Sequence, residues 1–393
     1  MMFVSVFVLL FLLALVADFR CWRRSQAAPL WRNLLGIGLL LCNLPLLVMI
    51  LGGLFSSDNT TRMMSIGMWL FWIWLLLALP RLCYYLFRRL RLPRVGVVLA
   101  VMIAGMLIWG ATVGRNAVSV SRVEICSAKL PAAFDGFRIV QLSDMHIGTI
   151  VDPDRELQRI VDSVQSLRPD LIIFTGDLVN TRSSELDDRI ARLLSGLQAP
   201  YGVASVIGNH DTGIYIRDTE HYPEAESLQA VIAWQRQLGW DVLEDTTRYL
   251  VRGGDSISLS GISFDPELRQ KRHDHHLPPA RLAETYRDVP DSLFNITAVH
   301  LPQLWNQILE TPYGDLTLAG HVHAMQIKLR LFGTAFSPAR FLYTRWSGRY
   351  DSATVGESGN RTLYINDGTG YVLYPMRLGA WPEVTLITLR RCE

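Results

Sequence analysis

The chain has 393 residues, with 38 Lys+Arg against 36 Asp+Glu for a formal net charge of +2; half of it is hydrophobic and 19% is charged. That length allows two domains of ordinary size and excludes a small disulfide scaffold, while the composition excludes a disordered chain. Near-neutrality leaves no electrostatic footprint of a nucleic-acid binder, so no nucleic-acid partner is expected. The total nevertheless sums two unlike parts. Residues 1–115 hold eleven Arg, no Lys and two acids (Asp18 and Asp58), giving +9; the remainder holds 27 basic and 34 acidic residues, giving −7, and all nine His. The expected division is a transmembrane region over 1–115 and a second domain over 116–393.

Four apolar runs fill the first part: 1–17, 34–54, 66–80 (extending through 84–87) and 95–113. A helix crosses the hydrocarbon core with about 20 apolar residues. The third run contains Pro80 and Arg81, which predicts a kink and an arginine near one end, snorkelling to the interface. The first run is the weakest. It lacks the basic n-region and small-residue cleavage site of a signal peptide, so an uncleaved span is expected. Trp22, Trp31 and Trp109 flank the runs and oppose reading them as buried soluble helices. Arg20, Arg23, Arg24 and Arg32 lie between the first two runs, and Arg88, Arg89, Arg91 and Arg94 between the last two. Basic short loops stay in the cytoplasm, which sends everything after Arg115 to the outer side. In a bacterium this is an inner-membrane protein with a periplasmic or extracellular domain. Cys126 and Cys392 are the only two cysteines of that domain; a pair in an oxidising compartment and two separate thiols are both open.

In the second part, 137–142 (FRIVQL) reads as a strand ending at Ser143-Asp144-Met145-His146. Residues 152–167 read as a helix with apolar positions three and four apart. Residues 171–175 (LIIFT) form a second strand ending at Gly176-Asp177, residues 185–197 a second helix, and 201–207 a third strand ending at Gly208-Asn209-His210-Asp211. Strand and helix alternate as in a parallel α/β sheet, whose ligands gather at the carboxyl ends of strands. Residues 295–299 then end at His300, and 316–319 at Gly320-His321-Val322-His323. Closing strands are expected over 362–365 and 384–389. Asp144, His146, Asp177, Asn209, His300, His321 and His323 offer oxygen and imidazole but no thiolate. Such a set suits borderline or hard divalent metals: Mn, Fe, Co or Zn.

The order DxH, GD, GNHD, an apolar-flanked His and GHxH resembles the calcineurin-like metallophosphoesterases over roughly 137–323. The resemblance implies a double β sandwich flanked by helices, a four-layer α/β/β/α arrangement, with two metals at its edge. It assigns Asp144, His146 and His323 to one metal, Asn209, His300 and His321 to the other, and Asp177 to both. His210 would be the catalytic histidine and Asp211 would orient it or balance its charge. A metal-bridged hydroxide would attack phosphorus in line with the leaving oxygen. Protein phosphatases of the family carry an acid and Arg-Gly after the GD motif; Asn180 and Thr181 stand there, which disfavours that activity. The arrangement instead looks like the bacterial branch of predicted phosphohydrolases with transmembrane N-termini.

The expected activity is thus hydrolysis of a phosphomonoester or phosphodiester, with a lipid-linked envelope substrate suggested by the anchoring. A nucleotide-sugar-lipid pyrophosphohydrolase, opposed by the predicted topology, and a catalytically silent membrane sensor or scaffold are the alternatives. Oligomeric state is not legible. Three further features invite a bland and a functional interpretation. His273-Asp274-His275-His276 is a solvated loop or a rim. Residues 331–350 interleave Phe332, Phe336, Phe341, Tyr343, Trp346 and Tyr350 with Arg340, Arg345 and Arg349, next to Arg330; this is packing of a long loop, or a segment that touches the bilayer or grips a lipid-linked phosphate. Asn295-Ile296-Thr297 matches a glycosylation sequon inside a predicted strand.

Overall fold

The structure, a computed structural model, describes residues 2–55, 61–266, 277, 280–331, 333–352 and 361–392. The stretch from His273 to His276 and Phe332 lie outside the described residues. The chain forms two compact units, one comprising Met1–Gly114 with Val372–Met376, the other Arg115–Tyr371 with Arg377–Glu393.

The first unit contains helices α1 (Met2–Arg23), α2 (Pro29–Phe55), α3 (Thr61–Arg89) and α4 (Pro93–Thr112). All four are long and apolar enough to cross a membrane by length and composition. Phe7, Ala14, Leu46, Phe71, Trp74 and Ala78 interdigitate at the centre, and Leu373 and Tyr374 of the short second segment join the same cluster. Arg81 pairs with Asp18 at 3.0 Å in a mostly buried site. Asn43 donates to the same carboxylate (2.7 Å), Tyr85 donates to its other oxygen (3.1 Å), and Trp74 donates to the Asn43 carbonyl (3.1 Å). A charge buried among apolar helices is tolerated when a counter-charge is beside it.

The second unit runs β1 (Ser119–Ser127), β2 (Arg138–Leu142), α5 (Pro153–Ser166), β3 (Leu171–Phe174), α6 (Asp188–Leu194), β4 (Val203–Ser205), α7 (Glu224–Gln237), β5 (Asp241–Val242), β6 (Thr246–Arg252) and β7 (Asp255–Ile262). It continues with α8 (Leu282–Thr285), β8 (Asn295–Val299), α9 (Trp305–Ile308), β9 (Leu316–Ala319), β10 (Leu329–Leu331), β11 (Thr334–Phe336), β12 (Gly348–Asp351), β13 (Thr362–Ile365) and β14 (Glu383–Arg391). Two six-stranded sheets result, ordered β1-β14-β2-β3-β4-β5 and β12-β13-β9-β8-β7-β6, beside a β10-β11 hairpin. The sheets are mixed. β2, β3 and β4 run parallel as expected and β5 extends them, but β14 inserts antiparallel to β2 and β6 is antiparallel to β7.

Strand periodicity explains the layers. In β3, Leu171 and Ile173 point into the core between the sheets, while Ile172 and Phe174 point into the core beneath α5, α6 and α7. Successive side chains on a strand face opposite ways, so a continuous apolar run is what a doubly covered strand requires. Ile257, Leu259, Ile296, Leu316 and Leu318 of the second sheet meet the first from across the sandwich. Val299, Ala319 and Ile365 on its far face pack with Trp305 and Ile308 of α9. These are the four layers α/β/β/α. Helix α5 starts where the sequence signals it: Pro153 stands at its first turn and the Asp152 carboxylate accepts from the Arg155 N–H.

Cys126, in β1, forms a disulfide with Cys392, just after β14; the two strands are parallel neighbours. Asn295 is fully buried, with Nδ2 donating to Ser258 and Ser260 Oγ (2.9 Å each), so the sequon has no accessible acceptor. Reducing the disulfide, or Cys126→Ser, is expected to destabilise the second unit by about 2–4 kcal/mol, as removal of native cross-links generally does. Denaturant titration of the protein with and without reductant reads this directly; identical midpoints would refute it.

Candidate metal centre

Five parallel-type strand ends supply the chemistry. The loops after β2 and β3 keep pairing beyond the strands: Asp144 N–H donates to Gly176 O (2.9 Å), His146 N–H to Asp177 O (3.1 Å) and Ile147 N–H to Leu178 O (3.0 Å). This sets the DxH and GD segments side by side. The β4, β8 and β9 ends then bring Asn209, His300, His321 and His323 to the same edge.

The seven expected ligands form two overlapping groups. Asp144, His146, Asp177 and His323 offer ligand atoms all within 4.8 Å of one another, and so do Asp177, His300 and His321. Asp177 belongs to both. Its Oδ2 is 3.7 Å from His146 Nε2 and 3.1 Å from His300 Nε2, while Oδ1 accepts from the His210 N–H (2.8 Å). Asn209 joins the second group through Oδ1, 3.0 Å from His300 Nε2. In the first, His323 Nε2 lies 2.9 Å from Asp144 Oδ1 and 3.0 Å from His146 Nε2.

This set fits divalent cations. Carboxylate oxygens and imidazole nitrogens converge in a water-poor pocket, and the ring nitrogens His146 Nδ1 and His323 Nδ1 are buried without a hydrogen-bond partner. Burial, then the neighbouring His210, His323 and His300, hold His146 well below its usual range, leaving it the neutral imidazole a metal needs. Burial alone would lower His300 too, but the charge and hydrogen bond of Asp177 carry it up to about 9 among the protein groups alone. Burial raises Asp144, yet His323 beside it wins and holds it at about 2. The protein's anionic oxygens therefore attract a positive partner wherever one can come from. His300 Nδ1 faces the Thr175 carbonyl at 2.8 Å, which fixes the tautomer that presents Nε2 to the site.

Strain concentrates here. Asp144, His146, Asp177, His321 and His323 all have φ between 46° and 73°. Such left-handed backbone costs non-glycine residues of order 1–3 kcal/mol each and collects at functional sites. Glycine is required where the loops touch: a Cβ on Gly208 would run into the Asp177 carboxylate and amide.

Two buried carboxylates outside the ligand set hold the loops. Asp211 accepts from the N–H groups of Asp177 (2.8 Å), Leu178 (2.8 Å), Val179 (3.1 Å) and Gly208 (2.9 Å). The expectation that Asp211 orients His210 is therefore corrected. Its oxygens serve the backbone, and His210 Nδ1 instead faces the Asn180 carbonyl at 2.5 Å. Glu185, unnoticed in the sequence, does the same for Asn180, Thr181 and Gly148, at 2.5, 2.9 and 3.0 Å. Burial pushes both acids up to about 7, with the charge of Asp177 adding to the effect on Asp211. Tyr215 was also missed. Its ring stacks on His210 (4.2 Å between centroids) and its hydroxyl accepts from Asn209 Nδ2 (2.8 Å), leaving Asn209 Oδ1 for the site. No sequence signal marks it, four residues past the motif.

A two-sheet α/β sandwich with a buried Asp/His cluster at one edge defines a metal-dependent phosphoesterase. The comparisons with known proteins agree. Residues 137–325 match the family described as Calcineurin-like phosphoesterase. The chain is 34% identical over 332 residues to UDP-2,3-diacylglucosamine pyrophosphatase LpxG of Chlamydia trachomatis, covering 72% of this chain and 92% of that protein. It is 28% identical over 267 residues to the uncharacterized metallophosphoesterase YkuE of Bacillus subtilis (68% and 83% covered). A transmembrane protein with metallophosphoesterase domain from Danio rerio is 31% identical over 297 residues (75% and 62% covered). The chain belongs to the calcineurin-like phosphoesterase family and is a metal-dependent phosphoester hydrolase.

Gly208→Ala is expected to displace Asp177 and lower the divalent metal bound per chain. Elemental analysis of the purified variant against the parent checks this; equal content would show that the loops yield without disturbing the ligands.

Proposed function

We propose that the protein is a membrane-anchored dinuclear phosphohydrolase that cleaves a phosphoester or phosphoanhydride bond in an amphiphilic, lipid-linked substrate. The observation that carries the reading is Asp177, whose single carboxylate is shared by the two ligand groups. Asp144, His146, Asp177 and His323 would hold one cation, and Asp177, Asn209, His300 and His321 the other, with Mn, Fe, Zn or Co as the candidates. When bound, such a pair supplies Lewis acidity toward the phosphate and an activated water.

The chain's own groups do the rest. His210 Nδ1–H donates to Asn180 O, which leaves Nε2 to face a phosphate or leaving oxygen; as the imidazolium, its Nε2–H would be the proton given there. The Tyr215 ring stacked on that imidazole and the His146 ring meeting it edge-on restrict its orientation. Asp211 acts as a positioning residue, holding Asp177 through its backbone.

The Arg-rich first and third loops support a catalytic unit outside the cytoplasm, at a bacterial inner membrane, and the Cys126–Cys392 disulfide supports it independently because such bonds persist in oxidising compartments. The likeness to LpxG favours a second reading, pyrophosphate hydrolysis of a nucleotide-linked glycolipid. That reading puts the unit on the cytoplasmic side, where such substrates are made. Alkaline phosphatase fused after Arg115 separates the two: activity is expected, and a silent fusion beside a fluorescent cytoplasmic reporter at the same position would favour the second.

For the chemistry, the detergent-solubilised full chain is expected to hydrolyse bis-p-nitrophenyl phosphate with at least one of the four metals. His210→Ala should lower kcat about 100- to 10,000-fold with bound metal unchanged, the range for a lost general acid. Asp177→Ala should lose both metal and turnover. No turnover with any divalent metal would overturn the reading.

A further inference from the structure

We infer that the turn between β11 and β12, displaying Phe336, Phe341 and Leu342 beside Arg330 and Arg340, is a lipid-binding surface that inserts into the interface of an anionic bilayer. The inference rests on the four helices spanning a membrane; it does not depend on the substrate's identity.

Exposure is the first observation. Phe341 is 76% exposed, Leu342 57% and Phe336 37%. Neighbouring large apolar side chains on one turn are not the scattered exposure of an ordinary surface. The display is also built rather than loose. Ser337 Oγ donates to Ala324 O (2.6 Å) and accepts from Ala339 N–H (3.1 Å). Ala339 and Tyr343 are buried with Val322, and the Tyr343 ring meets His321 edge-on at 6.0 Å. The turn is thus pinned from inside at 337, 339 and 343, and the residues between are pushed outward. Phe336 and Phe341 meet edge-on at 6.0 Å, with the Arg340 guanidinium 5.7 Å over Phe336.

Charge is the second, independent observation. Residues 316–350 hold Lys328, Arg330, Arg340, Arg345 and Arg349 and no acid, although the domain as a whole carries −7. Lys328 is engaged by Asp367 and Ser347, Arg345 by Asn306 and the Trp305 ring, and Arg349 by Asp351. Arg330 and Arg340 remain exposed. Exposed aromatics and aliphatics rimmed by arginine are the composition of an interfacial anchor, with the cations at the headgroups and the rings at the acyl boundary. A bilayer is also the partner this unit meets at the highest effective concentration, because the same chain carries the spans. Since the turn is contiguous with the GHxH ligands, an anchored turn would hold the metal centre within reach of lipid headgroups.

The test uses the full chain with Cys21, Cys42 and Cys83 replaced by Ser and a nitroxide on Leu342→Cys, reconstituted in phosphatidylcholine–phosphatidylglycerol vesicles. Collision rates with oxygen and with a water-soluble nickel chelate are compared with those of the same label at Val251→Cys, a position 61% exposed on β6. At 342, oxygen should exceed the chelate, and at 251 the order should reverse. Arg330→Glu with Arg340→Glu should shift 342 toward the aqueous pattern in the anionic vesicles. Chelate access at 342 equal to that at 251 would overturn the inference and leave a solvated turn. Low access to both reagents would also overturn it, because a second copy or another protein surface would then cover the site. Hydrolysis of bis-p-nitrophenyl phosphate by the same labelled samples is scored separately: a deep label without turnover sinks the proposed function and spares the surface, and turnover with a wet label does the reverse.

Discussion

Two buried carboxylates, Asp144 and Asp177, place like charge within one small cluster, and the catalytic unit is organised around holding them together anyway. Asp144 and Asp177 are almost fully buried, where opposing charge is felt strongly and water screens little. The restraint is applied through the backbone. Parallel pairing carries on past β2 and β3, so the two acid-bearing loops have no freedom to part. Asp211 and Glu185 then collect the N–H groups those loops leave over, at four and three short distances respectively. Burial holds the protons of both more tightly than those of ordinary carboxylic acids, and for Asp211 the charge of Asp177 adds to that effect.

The same constraint explains where the backbone is strained. Five of the seven candidate ligands sit in the left-handed region. A side chain can turn back over the end of its own strand only if φ leaves the extended range, so the unfavourable conformation and the convergence of ligands are one geometric fact. The cost falls on residues whose flanking strands are buried on both faces, and those well-packed layers keep the loops from relaxing.

Much of this was legible. Apolar runs ending in acid, amide or imidazole revealed both the strands and the ligands, because a strand covered on two faces and a site at its carboxyl end leave local marks. What the sequence concealed was non-local. β1 alternates half-buried and exposed residues at a sheet edge and lacks the continuous apolar run that betrayed β3. The partner of Arg81 is Asp18, 63 residues earlier. Asp211 follows His210 directly, which suggested a shared task, yet adjacent side chains diverge and the carboxylate turned to the backbone instead. Tyr215 and Glu185 act through single polar atoms in loops, where no periodicity exists to expose them.

The position of β14 has a consequence for how the molecule is made. In the first sheet it lies between β1 and β2, so the strand that follows the helices has no neighbour until residues 383–391 have been synthesised. Strands that come early in the chain must wait for one that comes after all the others described, and the cross-link at Cys126 can close only then. The first sheet is consequently complete only once that strand has arrived, so a chain interrupted shortly before it would carry every candidate metal ligand and His210 and still leave β1 without a partner.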